Sequence, residues 1–340
     1  MKMNRRTFFG GAFATLLTPA ASRATEELRI IPEADLALRN DLYAGMARSG
    51  PYHAPEKPAH MLLGDDKVPC LVYVAQDVER AKLAVFSHGA LQEPQVYSKL
   101  LNFLTTHGYC VVAPIHSDSL IKKGLQISES LDVWQFGEAL NDPELWMERA
   151  ASCKVARNEF SSISNTLGVI VDATYPIIIG HSFGAFTAQM LLGARVNTEQ
   201  GPITMENDGW AGAVLLGPQG SGVLGLDDHS WENVTTPMII VTSADDVDIT
   251  QQASERKLDP YFLSAPNYKH IAYLSKGGAN IYNGQSARPG SEGLYIFRDL
   301  KASINLFMSA YGKRDEGAFN GLYGWEFTHR AYGYVALGAR

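Results

Sequence analysis

One serine of the chain stands where a strand-like pattern changes into a helix-like pattern. Residues 180–184 read Gly-His-Ser-Phe-Gly, after the apolar run 175–179 and before the helical run 185–192. A sharp turn between a strand and a helix leaves the hydroxyl of Ser182 exposed at the helix N-terminus. Such a crowded turn favours glycine at its two flanking positions. A serine in this setting is typical of nucleophilic attack on acyl groups.

Nucleophilic attack by serine also requires N–H groups that stabilise the negative charge on the substrate oxygen. We expect one donor at Phe183, directly after the serine, and the other at Ala90, in the loop after the strand pattern 82–86. His88 and His181 lie beside these positions. We expect both to shape the oxyanion loop and the turn rather than to act as bases.

The reaction further needs a base and an acid that orients the base. The acid is expected after the strand pattern 237–242, where Asp245 and Asp246 are adjacent. We favour Asp246, because the acid at this strand end usually has the spacing Gly-x-x-Asp, and Ser243 occupies the position of that glycine. Asp245 remains the alternative.

Short apolar runs alternate with longer helical patterns along most of the chain. This alternation predicts an α/β fold with a mostly parallel sheet and helices on both faces, and a ligand site beyond the carboxyl ends of the strands. A polar, irregular stretch at 120–150 predicts a helical insertion that could cover the site, and 312–340 forms a C-terminal extension. The runs with strand character are 69–74, 82–86, 109–113, 175–179, 210–216, 237–242 and 270–274, and helical spacing is clearest at 96–104, 148–167 and 294–311.

Four segments together resemble the α/β-hydrolase superfamily: 86–89, 111–119, 180–185 and 216–220. The similarity is greatest to its platelet-activating-factor-acetylhydrolase-like and dienelactone-hydrolase-like branch. The resemblance implies an eight-stranded sheet. Because no Pro/Ser-rich linker or charge run divides the chain, we expect a single domain over 25–340. The resemblance also implies hydrolysis of an ester or a small acyl substrate through an acyl-enzyme on Ser182, without a metal or an organic cofactor.

The chain departs from this family at the base. The family places its catalytic histidine in a loop after the last strand, and in the matching stretch 276–284 that position is held by Asn280. An asparagine amide does not accept a proton at neutral pH. No histidine occurs between residues 271 and 328.

Three explanations of this departure remain open. In the first explanation, another histidine supplies the base. His229 and His116 follow strands on the site side, and His329 lies in the C-terminal extension. His270 begins its strand, so it is expected at the opposite end of the sheet. Alternatively, the pocket has lost hydrolysis and serves a non-catalytic binding protein or pseudoenzyme. In the third explanation, Ser182 and the oxyanion donors carry out slow, altered chemistry.

The first residues are typical of an export signal. Residues 4–9 read Asn-Arg-Arg-Thr-Phe-Phe, an apolar stretch follows to about residue 21, and small residues stand at 22 and 24. We predict a twin-arginine signal over 1–24, cleaved during export to the periplasm or the exterior of a bacterium. The apolar stretch is too short for a stable membrane span.

Charge and cysteine content limit the partners further. Loss of 1–24 removes four positive charges and no acid, which changes the net charge from −7 to −11. This acidic balance argues against a nucleic-acid partner. Cys70, Cys110 and Cys153 match no zinc spacing, and we expect buried structural thiols with at least one of the three unpaired. The composition permits a monomer but does not predict the oligomeric state.

Overall fold

A sheet of mostly parallel strands forms the centre of the computed structural model. The structure describes residues 41–119, 140–247, 250–323, 329–331 and 335–340, which belong to the compact unit Asn40–Arg340. The predicted signal over 1–24 and most of the predicted insertion at 120–150 lie outside the described residues.

In chain order, the described strands are β1 (Ala59–Leu63), β2 (Val68–Tyr73), β3 (Arg80–Ser87), β4 (Tyr109–Pro114), β5 (Ile170–His181), β6 (Val196–Thr198), β7 (Gly201–Ile203), β8 (Gly212–Leu216), β9 (Met238–Ser243), β10 (Lys269–Leu274), β11 (His329–Ala331) and β12 (Val335–Ala339). The α-helices are α1 (Ser98–Thr106), α2 (Pro143–Asn158), α3 (Phe160–Leu167), α4 (Phe183–Leu191), α5 (Asp259–Leu263), α6 (Glu292–Gly312) and α7 (Glu316–Tyr323). Residues 41–47 are also helical, and short 3₁₀ turns occur at Pro94–Tyr97, Ser254–Leu258 and Ala279–Ile281.

The main sheet has the strand order β1-β2-β4-β3-β5-β8-β9-β10-β12-β11, and β6 and β7 form a separate hairpin. The six adjacent strands β4-β3-β5-β8-β9-β10 are parallel to one another, and the pairs β1-β2, β2-β4, β10-β12 and β12-β11 are antiparallel. The predicted α/β class with a mostly parallel sheet and flanking helices is confirmed. This architecture is compatible with an α/β-hydrolase-like fold.

The sheet has ten strands in the described part of the chain, not the eight that the resemblance implied. The C-terminal extension supplies β11 and β12, and β12 pairs antiparallel with β10 in the register Ile271↔Gly338. Without β12, the backbone groups along that side of β10 would form an open edge. The extension therefore continues the sheet.

The parallel strands are buried on both faces. Every residue of β4, β8, β9 and β10 is buried. Strands covered by helices on both faces have continuous apolar sequences rather than alternating ones, which explains why these four were recognisable from the sequence.

The segment before β5 differs from the single helix expected over 148–167. It forms α2 and α3, and α2 begins five residues earlier, at Pro143. The Asp142 carboxylate caps this helix by accepting the Glu144 N–H at 2.9 Å, and proline is favoured in the first helical turn. The Trp146 ring packs edge-on against Phe186 at 5.2 Å, so it belongs to the core.

Two further expectations concern the thiols and the membrane. Cys70, Cys110 and Cys153 are buried and unpaired by disulfides, and burial raises the pKa of each to about 12. Within the described ranges, no helix has the length and hydrophobicity that crossing a bilayer requires.

Candidate active site

Ser182 occupies a strained turn between β5 and α4. Its backbone has φ +50° and ψ −118°, and a positive φ is uncommon for a residue with a side chain. The Ser182 N–H donates to Leu216 O of β8 at 2.9 Å. We call residues 180–184 the elbow. Because strained conformations persist only where the surroundings enforce them, the packing around the elbow must hold Ser182 in this conformation.

Two glycines make this geometry possible. A Cβ atom at position 180 would overlap the carbonyl of Gly184, and one at position 184 would overlap the carbonyl of Ser87 at the end of β3. The elbow therefore crosses the end of β3 at a distance that leaves no room for side chains. The glycine spacing in the sequence follows from this backbone contact.

The strand order opens a crevice beside the elbow. After β3 the chain continues to β4 on one side, whereas after β5 it continues to β8 on the other. Loops that leave adjacent parallel strands in opposite directions form the crevice in which open α/β sheets bind ligands. The two loops concerned are the elbow and residues 87–91, which we call the oxyanion loop.

Two backbone N–H groups in these loops make no hydrogen bond within the described protein. In the described part of the chain, neither the Ala90 N–H nor the Phe183 N–H has a hydrogen-bond acceptor. The first N–H groups of a helix have no partner within the helix, which accounts for Phe183. These are the two residues at which the sequence predicts oxyanion donors, and that role stays a prediction. The Gly89 N–H, in contrast, donates to Tyr97 Oη at 3.3 Å.

Of the two candidate acids, Asp246 is buried and Asp245 is exposed. Asp246 Oδ2 accepts from Tyr282 Oη at 2.5 Å and from Thr242 Oγ1 at 3.1 Å. The described partners of this carboxylate are therefore a phenol and an alcohol. Tyr282 is fully buried and lies in residues 276–284, which we call the acid-side loop.

Asn280 is exposed, on the 3₁₀ turn Ala279–Ile281. Among the described residues, its side chain makes no hydrogen bond, and the residue that reaches Asp246 is Tyr282, two positions later. The spacing of the family motif indicated position 280 for the base. Spacing alone could not show which side chain of the acid-side loop faces the Asp246 carboxylate. The signal for Tyr282 was its long polar side chain within the same loop.

Three of the candidate histidines, His229, His116 and His270, have other partners. His229 has a 68% exposed side chain and pairs with Glu232 at 2.6 Å. His116 is buried between Ser87 Oγ and Ser152 Oγ, at 2.9 Å from each, and His270 contacts Tyr311 Oη at 2.8 Å. His329 begins β11. Among the histidines whose side chains the structure describes, which do not include His329, none is hydrogen-bonded to Ser182 Oγ.

His181 connects the two sides of the crevice. Its Nδ1 lies 2.6 Å from Tyr97 Oη, and its ring packs 4.9 Å from the ring of Tyr282. The Tyr97 hydroxyl thus contacts both the His181 ring and the Gly89 N–H, which it accepts. His181 therefore helps to shape the elbow, the role expected for it from the sequence.

Sequence reasoning missed Arg149 and assigned no role to Asp118. Both are buried beneath the oxyanion loop and form a bidentate ion pair, with Nε–Oδ1 and Nη2–Oδ2 distances of 2.9 Å. Burial raises the pKa of the Asp118 carboxyl, but the charge and hydrogen bonds of Arg149 outweigh it and hold that pKa below its ordinary value. Arg149 lies in an ordinary helical stretch, so no local motif marked it.

Metal-binding side chains do not cluster in the described part of the chain. No group of three or more His, Cys, Asp or Glu residues there is arranged to hold a metal ion. A comparison with protein-family models finds no match, and no curated protein shows significant similarity to the chain.

Proposed function

We propose that the protein is a slow serine hydrolase of an ester or a small acyl compound, with Ser182 as the nucleophile. The observation that carries this proposal is the strained backbone of Ser182, held between two glycines beside two N–H groups without acceptors. Backbone strain of this kind costs about 1–3 kcal/mol and is found mostly where the position of the strained residue serves a function. The fold is compatible with that of the α/β-hydrolases, in which such a turn carries the nucleophile.

The proposed reaction begins with attack of Ser182 Oγ on the acyl carbon. The carbonyl electron pair moves to its oxygen, which accepts from the N–H groups of Ala90 and Phe183. Collapse of this intermediate breaks the bond to the leaving group, which takes up the serine proton, and leaves an acyl-enzyme. Water then attacks the acyl carbon and releases the acid, returning the proton to Ser182 Oγ.

The described contacts explain why the reaction is proposed to be slow. No described imidazole is hydrogen-bonded to Ser182 Oγ, and the Asp246 carboxylate binds Tyr282. Enzymes that lose one member of the triad retain about 10³–10⁴-fold catalysis over water, from the oxyanion donors and substrate binding. Substrates with good leaving groups depend least on an acid or a base, so activated esters are the appropriate probes.

The test is labelling with a fluorophosphonate probe and turnover of short p-nitrophenyl esters. We expect wild type to be labelled and to turn over ester slowly, and Ser182→Ala to lose both. Ser162→Ala is the matched control, because Ser162 is an exposed serine on α3. The proposal fails if wild type shows neither labelling nor turnover, or if Ser182→Ala behaves like wild type.

A second candidate, a non-catalytic binding protein or pseudoenzyme, is favoured by the acid side of the crevice. There, the phenol of Tyr282 holds the carboxylate that would orient a base, and Asn280 is exposed. For this candidate, wild type remains unlabelled and inactive, and activity arises only when a histidine replaces Tyr282 or Asn280. Weak Ser182-dependent labelling of wild type would exclude it.

A further inference from the structure

We propose that His88, Arg149 and Asp118 form a buried clamp that fixes the peptide between Gly89 and Ala90, so that the Ala90 N–H points away from the clamp as an oxyanion donor. This inference rests on the proposed function, since it concerns the donor used in that reaction. We call the three side chains the peptide clamp.

Arg149 binds the oxyanion loop from below. Its Nη1 donates to His88 O at 2.8 Å, and its Nη2 lies 3.4 Å from Gly89 O. The guanidinium also lies 4.6 Å from the centre of the Phe183 ring. One side chain thus contacts both the oxyanion loop and the elbow, which carry the two proposed donors. Its bidentate pairing with Asp118 fixes its orientation.

The side chain of His88 also holds the Gly89 carbonyl. The His116 N–H donates to His88 Nε2 at 3.2 Å, so that nitrogen carries no hydrogen. The hydrogen is therefore on Nδ1, which donates to Gly89 O at 2.8 Å. Burial, reinforced by the nearby charge of Arg149, lowers the pKa of His88 to about 3, which keeps this neutral form at physiological pH.

The orientation of the Ala90 N–H follows from the planar peptide. In a trans peptide the carbonyl and the following N–H point in opposite directions. No cis peptide bond occurs in the described chain. Because the Gly89 carbonyl is directed towards His88 and Arg149, the Ala90 N–H is directed away from them.

The neighbouring N–H groups of the oxyanion loop, unlike that of Ala90, are paired. The Gly89 N–H donates to Tyr97 Oη at 3.3 Å, and the Leu91 N–H donates to Asp118 Oδ2 at 3.2 Å. Of these three consecutive N–H groups, only that of Ala90 has no acceptor in the described part of the chain. Leu91 has φ +57°, an uncommon value for leucine, which the contact with Asp118 helps to hold.

Stability alone does not require such a clamp. A buried ion pair is often no more stabilising than apolar residues of similar volume, because two charges must leave water. This permits a variant that removes both charges and leaves the fold intact. The double substitution Arg149→Met with Asp118→Leu removes the clamp without leaving a buried charge unpaired.

The first experiment measures the rate constant of fluorophosphonate labelling, with kcat and KM for a p-nitrophenyl ester and Tm for each variant. Loss of one oxyanion donor costs about 10²–10³-fold in kcat. We expect the double variant to lose about 100-fold in labelling rate and kcat, with KM within about twofold. The matched control is Arg195→Met with Asp227→Leu, an Arg–Asp pair at 2.7 Å outside the site, which should label at the wild-type rate.

A second pair of variants isolates the His88 donor. Asn places an N–H donor close to the position of His Nδ1, whereas Leu places none there. We expect His88→Leu to lose at least about tenfold in kcat, and His88→Asn to recover most of that loss. Folded variants that all label at the wild-type rate would overturn the clamp, and so would equal losses in His88→Asn and His88→Leu. If the double variant does not fold, the His88 pair decides.

The clamp can also be judged separately from the proposed function. If wild type shows no Ser182-dependent labelling, the proposed reaction is wrong, whatever the clamp does. Crystal structures of wild type and His88→Leu then provide the test. Rotation of the 89–90 peptide in the variant supports the clamp, and an unchanged peptide overturns it.

Discussion

The two sides of the crevice are held in different ways. At the ends of β3 and β5, backbone contacts without room for side chains and a buried ion pair define the elbow and the oxyanion loop. At the ends of β9 and β10, the arrangement depends on individual side-chain hydrogen bonds, such as that from Tyr282 to Asp246. Where two backbone segments cross without room for side chains, only one local geometry is possible. A hydrogen bond between two side chains, in contrast, is lost when either residue is substituted.

This difference explains how a chain can keep a strained serine and lack a histidine at the expected position. Substitution at 282 removes a hydrogen-bond partner of Asp246 and leaves the strand ends in place, because Tyr282 does not support the elbow crossing. Asn280 is exposed and is likewise no part of that crossing. Substitution at 180 or 184 would displace the backbone itself. Variants on the two sides should therefore differ in the size of their effects.

The largest effect is expected from Gly184→Ala, which places a Cβ atom on the carbonyl of Ser87. Because backbone would have to move, we expect the free energy of unfolding to fall by about 3 kcal/mol or more, measured by urea denaturation. Gly45→Ala is the control, because a Cβ there meets nothing within 4 Å. That variant should be unchanged or up to about 1 kcal/mol more stable. Equal losses in both variants would contradict the contrast.

The second prediction concerns acid sensitivity of the oxyanion side. His88 faces Arg149, Asp118 and His116, and its pKa is lowered by burial to about 3. In the unfolded chain, His88 becomes protonated below its ordinary pKa of about 6.5, whereas in the folded chain it stays neutral until a much lower pH. The folded state is therefore most stable above about pH 6.5 and loses stability as the pH falls. Replacing His88 with Asn should reduce the fall in unfolding free energy between about pH 7 and pH 5 by about 2 kcal/mol.

The control for this measurement is His229→Asn. His229 is exposed, and its hydrogen bond to Glu232 raises its pKa, so its removal should not reduce the loss of stability in acid. His270 and His107, whose pKa values burial lowers to about 3 and about 4, retain part of the acid sensitivity in both variants. If the unfolding free energies of wild type and His88→Asn change identically with pH, the pKa of His88 is not lowered by burial.

The smallest effect is expected on the acid side. Tyr282→His places an imidazole against Asp246, and we expect kcat/KM for p-nitrophenyl acetate to rise at least about tenfold, below the 10²–10⁴-fold of a well-placed base. Asn280→His should change it less than about twofold, because that side chain is exposed and does not contact Asp246.

Tyr282→Phe separates loss of the phenol from gain of the imidazole. It removes the hydrogen bond to Asp246 without adding a base, so it should not raise kcat/KM. If Asn280→His alone raises activity, the acid-side loop rearranges and the residue chosen by spacing in the sequence is the relevant one. That outcome would also weaken the contrast between the two sides.

The sequence by itself determined the elements whose causes are local. The seven strand patterns correspond to β2, β3, β4, β5, β8, β9 and β10. All but β2 belong to the parallel part of the sheet, where strands covered by helices have continuous apolar sequences. The strands it did not predict, β1, β6, β7, β11 and β12, are short or lie at sheet edges, and their stability depends on pairing with distant segments. The turn at Ser182 was predictable because strand, glycines, serine and helix are adjacent in the chain.

Tertiary structure alone decided the partners of the buried polar groups. Arg149 meets Asp118 across 31 residues and His88 O across 61, and Tyr282 meets Asp246 across 36. No spacing within a motif encodes such pairs, because the sheet order determines which strand ends become neighbours. Backbone conformation at Ser182 is a property of consecutive residues, whereas the partner of a buried carboxylate is a property of the assembled sheet.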